Sequence, residues 1–150
     1  MSKVPTRSQT HREVDMARLA GLGLELDEIA VDDKVALKAL VEMAEDRGRP
    51  ASHYLAGMAL ATDFKVADDA PTTLTFCAGK CQNWGALDAL DRAVERCLGD
   101  ARGKVALRVV SCLDRCDEAA VFTLDGPAGT SVIQRAKVAD VDEAIAVALS

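Results

Sequence analysis

The chain has 150 residues, of which 49% are apolar but only 3% aromatic, and its 18 basic and 24 acidic side chains leave a formal charge of −6. That is enough for one domain with an extension, around a core built mainly of Ala, Val and Leu. The acidic balance argues against nucleic acid as the main partner, because such binding runs on clustered Lys and Arg. No apolar run approaches the ~20 residues that a membrane span needs, so membrane insertion is not expected.

The N-terminal "MSKVPTRSQTHR" is basic and rich in hydroxyls, but it lacks an amphipathic pattern. Residues 1–9 read as a flexible tail rather than a transit peptide, and with no secretory signal the expected location is the reducing cytoplasm. Residues 10–65 read as an N-terminal helical extension. A weak helical segment runs from about Thr10 to Leu22. A stronger one follows in "DDKVALKALVEMAEDRGRP", with Val35, Leu37, Leu40, Val41 and Ala44 on one face. Asp32 or Asp33 is placed to cap its start, and Gly48 with Pro50 to stop it. Ser52 is placed to cap a third helix, on which Leu55, Met58 and Ala59 share a face.

From residue 70 the period changes. "TTLTF", Thr72 to Phe76, alternates as a strand does. "GALDALDRAVERCLG" reads as a helix with Leu87, Leu90, Val94 and Cys97 on its buried stripe and Gly99 as its stop. "KVALRVVS", "AAVFTL" and "SVIQRA" read as three more strands, the last two joined by "DGPAGT". A closing helix starts at Asp140…Glu143, a capping-box-like pair, and buries Val141, Ile145 and Ala148. Residues 70–150 are therefore expected to form a β-α-β-β-β-α domain of the α/β class.

Four of the five cysteines fall in two CxxxC pairs, "FCAGKCQNW" and "SCLDRCDEA". A strand, a helix and a second strand usually make a right-handed crossover that leaves the strands parallel. Cys77 follows the first strand and Cys112 the second, so both pairs are expected at one sheet edge, where open α/β folds place their sites. Four converging thiolates suit a thiophilic metal. A 2Fe-2S cluster, which takes two thiolates per iron, is favoured by this spacing; structural zinc and a thiol-disulfide role stay open. Gly79 gives one loop the freedom to turn backbone N–H groups inward, and Lys80 and Arg115 can offset negative charge or lie as solvated surface charges. Cys97 reads as a buried structural thiol. Trp84 reads equally as a shield for the site and as packing at a helix start. His11 and His53 are isolated, which argues against a Rieske-type site. No phosphate loop, Ser-His-Asp pattern or paired carboxylates accompany them.

The segments "ALKALVEMAEDRGRPASHYLAGMALATDF", "APTTLTFCAGKCQNWGALDAL", "VVSCLDRCDEAAVFTLDG" and "VADVDEAIAVAL" together resemble, over residues 33 to 149, the thioredoxin-like 2Fe-2S ferredoxin family. The closest resemblance is to the small 2Fe-2S subunit of respiratory complex I, NAD-linked formate dehydrogenases and NAD(P)-reducing hydrogenases. The first cysteine spacing is one residue shorter than usual there. The resemblance implies a thioredoxin-like fold, a 2Fe-2S cofactor and Cys77, Cys81, Cys112 and Cys116 as its ligands, each pair serving one iron. It further implies one-electron transfer without substrate chemistry of the chain's own, beside a flavin- or iron-sulfur-containing oxidoreductase subunit. A free-standing ferredoxin of the same kind, without a permanent partner, is the alternative, and a zinc-stabilised interaction module is the alternative of another class; pairing of two copies as a homodimer stays open beside these.

Overall fold

The computed structural model describes residues 16–77, 84–110, 121–127, 129–134 and 137–149. Helix α1 (Met16–Glu25) leads through a short 3-10 turn into β1 (Lys34–Val35), α2 (Leu37–Asp46), α3 (Ala51–Ala61) and β2 (Lys65–Val66). Then come β3 (Thr72–Cys77), α4 (Trp84–Leu98), β4 (Val105–Val110), β5 (Phe122–Gly126), β6 (Gly129–Ile133) and α5 (Val138–Leu149). The described part of the chain is thus a mixed α/β structure, and no helix in it is long and apolar enough to cross a membrane.

The lead-in departs from its sequence reading in instructive ways. Val35 is not on a helix face: Lys34–Val35 pairs in parallel with Lys65–Val66, forming a two-stranded sheet. Asp32 and Asp33 cap nothing. Both have positive φ, +52° and +62°, and form the two-residue turn between Val31 and Lys34, whose backbones exchange hydrogen bonds of 2.8 and 3.0 Å. Asp tolerates this left-handed conformation better than most side chains, and turns of this mirrored type suit the twist of paired strands. The α2 N-terminus is capped instead by Asp68, whose carboxylate accepts from the Leu37 N–H at 3.0 Å. The predicted stop is present. Gly48, at φ +67°, and Arg49 donate to the carbonyls of Glu45 and Ala44, the paired bonds of a Schellman ending.

Ser52 lies one residue inside α3 rather than at its cap. Its N–H and its hydroxyl donate to the two oxygens of Asp91, at 3.0 and 2.9 Å, so α4 supplies the cap to α3. Helix α3 is buried on all sides from Ser52 to Met58. It can be, because it crosses α1 at two glycines. A Cβ on Gly57 would lie 1.9 Å from the Leu19 carbonyl oxygen, and one on Gly23 would lie 2.1 Å from that of Gly57. Around the crossing, Arg47 bridges Glu25 and Glu28, and the buried Tyr54 hydroxyl donates to Glu25.

The second half follows the expected β-α-β-β-β-α order, with strands arranged β4-β3-β5-β6. β3 and β4 are parallel, β3 and β5 antiparallel, and β5 and β6 form an antiparallel hairpin. Strand alternation puts Leu74, Phe76, Leu107 and Phe122 on one face, where Phe76 stacks on Phe122 with ring centroids 4.8 Å apart. Leu87, Leu90 and Val94 of α4 and Val141 and Ile145 of α5 belong to the same core. Arg92 and Arg96 of α4 both bond Asp142 of α5 at 2.8 Å, tying the two helices at the surface. Asp140 stands at the third position of α5 rather than before it, and its carboxylate reaches back to the Lys137 N–H at 2.7 Å, half of a capping box. The core is continuous: Leu19, Leu40, Tyr54 and Met58 of the lead-in belong to the same buried cluster as Leu74, Leu90 and Ile145.

Candidate metal centre

Cys77 is the last residue of β3 and pairs in parallel register with Val110, the last residue of β4. Both strands therefore end at the same edge of the sheet, as the crossover argument requires. β3 is an inner strand. Its end is fixed from the other side as well, where the Cys77 N–H donates to the Val121 carbonyl at 3.2 Å. Alternation places Cys77 on the face opposite Leu74 and Phe76, yet it is only 3% exposed. A thiol this well buried at a strand end is held on a rigid element rather than on a free loop.

The other three candidate ligands, Cys81, Cys112 and Cys116, lie outside the described residues, as do Gly79, Lys80, Arg115 and His11. Trp84 opens α4, but its side chain too is outside the description. Among the described residues no group of three or more His, Cys, Asp or Glu side chains could hold a metal ion. Covalent geometry still bounds the separation. Cys112 follows Val110 by two residues, so it stands no more than about 7 Å along the chain from the residue that pairs with Cys77.

Cys97 is elsewhere. It lies on the buried stripe of α4, 5% exposed, with its thiol pushed up to about 11 by burial first and by the nearby Asp68 carboxylate second. A thiol so hard to ionise is a poor metal ligand and a poor nucleophile at neutral pH. His53 is buried within α3.

Two residues near the edge were not singled out from the sequence. Arg108 pairs with Thr75 and lies on the same sheet face as Cys77 and Val110, and Lys65 stands on β2 beside the β4 edge. The strand alternation of "KVALRVV" holds the signal for Arg108; nothing local marks Lys65, whose position depends on a two-residue strand. A larger cavity of about 620 Å³ opens at the opposite end of the sheet, lined among others by Pro71, Lys104, Gly126 and Leu149. No family model matches the chain, and no curated protein matches it.

Proposed function

We propose that the chain is a one-electron carrier with a thioredoxin-like fold, in which Cys77, Cys81, Cys112 and Cys116 hold a 2Fe-2S cluster. The observation that carries this reading is the register Cys77↔Val110 between parallel strands. It sets Cys77, the start of the first CxxxC segment, about 4.8 Å across the ladder from Val110, two residues before the second begins. The donor set fits the group: four cysteines are soft ligands, and two pairs on two loops match two irons. The strand order β4-β3-β5-β6, with one parallel and two antiparallel pairings and a closing helix, is the arrangement expected of a thioredoxin-like domain.

When bound, the cluster supplies one-electron redox chemistry. The chain's part is to hold it. Cys77 is held by its bond to Val121 and by the register of its strand with β4, which limits rearrangement of that ligand between redox states. An all-cysteine site implies a low potential, on the order of −400 mV. The chain's net charge of −6 lowers it modestly further, since it disfavours the more anionic reduced form. The working partner is a flavin- or iron-sulfur-containing subunit of an NAD(P)-linked oxidoreductase. The continuous packing of the lead-in on the sheet gives such a subunit a single body to present.

The test is direct. Purified protein should be red-brown and contain about two irons and two sulfides per chain. It should take one electron from dithionite and show an EPR signal when reduced. Serine at any of the four cysteines should weaken or abolish the visible absorption, whereas Cys97→Ser should keep it. Alone, the chain should not oxidise NAD(P)H. A colourless protein with one zinc per chain refutes the proposal.

A further inference from the structure

We propose that the cleft between β2 and the C-terminal half of β4 is the face through which electrons pass to the redox partner, and that the partner presents carboxylates there. The inference rests on the cluster reading above and assigns its docking side and the charge of its partner. β4 is an edge strand of the larger sheet, and β2 lies beside it but bonds to β1 instead. The gap is a cavity of about 150 Å³ lined by Met58, Lys65, Val66, Arg108, Val109 and Val110. Met58 and Val66 are buried and form its floor; Val109 and Val110 are half-buried. The two charged lining residues are both cations. Lys65 is exposed, and the Arg108 side chain is 48% exposed. Arg108 has Asp69 at 4.0 Å, an outlying pair with an exposed acid that water screens and an incoming carboxylate can displace.

An apolar floor with a polar rim matches the layout of protein interfaces. A cationic rim stands out in a chain of net charge −6. Its position supplies the rest of the argument. Val110 is the register partner of Cys77, and Arg108 lies on the same face one row back. The cleft therefore begins one strand from a proposed ligand and ends two residues before another. A partner of negative potential would be steered to this edge rather than to the acidic remainder of the surface.

The test uses the full chain, reduced by dithionite and reoxidised in a stopped-flow instrument by two outer-sphere oxidants. One is the Co(III)–EDTA anion and the other the hexaamminecobalt(III) cation; in each case one electron leaves the protein and Co(III) becomes Co(II). The readout is the ratio of the two second-order rates. Lys65→Glu together with Arg108→Glu should shift that ratio about tenfold towards the cation at low salt. The shift should fade near 1 M salt, where screening acts within about 3 Å. Each single reversal should give a smaller shift, and Lys104→Glu, at the other end of β4, should give almost none. Lys65→Gln and Arg108→Gln should give about half the effect and serve where a reversal does not fold. An unchanged ratio with the cluster absorption intact overturns the docking face alone, as does an equal shift from Lys104→Glu. A native protein without the cluster absorption overturns the cluster reading and this face with it.

Discussion

Replacing Gly57 by Ala should destabilise the protein although it improves the helix propensity of α3. The new Cβ would stand 1.9 Å from the Leu19 carbonyl oxygen and 2.6 Å from the Gly23 nitrogen. Both are backbone atoms of α1, so no side chain can swing aside. An ordinary contact between carbon and oxygen is about 3.3 Å, which demands about 1.4 Å of separation between the helices. Leu19, Leu22, Tyr54, Leu55 and Met58 are all buried around this crossing. A gap of half to one ångström already forfeits a quarter to a half of each van der Waals contact. Overpacking of this kind costs about 1–3 kcal/mol and sometimes more, against a propensity gain of about 1 kcal/mol. The gross cost here should pass the upper end, about 3–4 kcal/mol, because both collisions involve rigid backbone, which leaves about 2–3 kcal/mol net. Urea unfolding followed by far-UV circular dichroism should show the midpoint falling by about 1–1.5 M, taking a slope near 2 kcal/mol per molar. Gly21→Ala is the matched control: it lies on the exposed side of α1 with nothing within 4 Å of its added Cβ, and should raise the midpoint slightly. A Gly57→Ala midpoint at or above that of the wild type would refute the close-crossing argument.

Asp91→Ala should cost about 2–3 kcal/mol, because it strips two acceptors from the fully buried Ser52, and Asp91→Asn should recover part of the loss; the urea midpoint measures both. Cys97 should react slowly with iodoacetamide at pH 8 in the native state and rapidly in urea. Its raised folded pKa also sets a sign. The stability it contributes is fully present below about pH 9, where the unfolded thiol is still protonated. It is lost as the pH rises towards about 11, so the alkaline fall in urea midpoint should flatten in Cys97→Ala.

The sheet half of the chain was legible because its segments are long enough to show a period. "TTLTF" alternates, the α4 stripe repeats at helical spacing, and β-α-β leaves few topologies. The lead-in was harder for a definite reason. Val35 lies two and five residues before Leu37 and Leu40, off their helical stripe, and belongs to a two-residue strand, which is too short to show any period. The two caps misread from sequence are supplied from afar, by Asp68 to Leu37 and by Asp91 to Ser52, at separations of 31 and 39 residues. Local windows cannot see such partners. Helix α3 is buried all round, so the apolar stripe assigned to it was only part of its contact surface. Of the candidate site, the meeting of two strand ends followed from connectivity alone. The cationic cleft beside them did not, because it is formed by β2 and β4, which are distant in sequence and not bonded to each other.

The parallel register at the end of β3 also bears on how tightly anything can be held there. Between Cys77 and Val110 the chain makes a loop of about thirty residues, and closing such a loop in a flexible polymer costs about 3 kcal/mol of entropy. In the folded protein that closure is already made by the ladder and the crossover helix. The sheet thus sets a high effective concentration of one strand end at the other, and on the proposed ligand set it would act on the thiols as a rigid chelator does. A ligand gathered at this edge would draw on the stability of the whole domain. Its affinity should therefore respond to substitutions as remote as Gly57, and its loss under denaturant should coincide with unfolding rather than precede it.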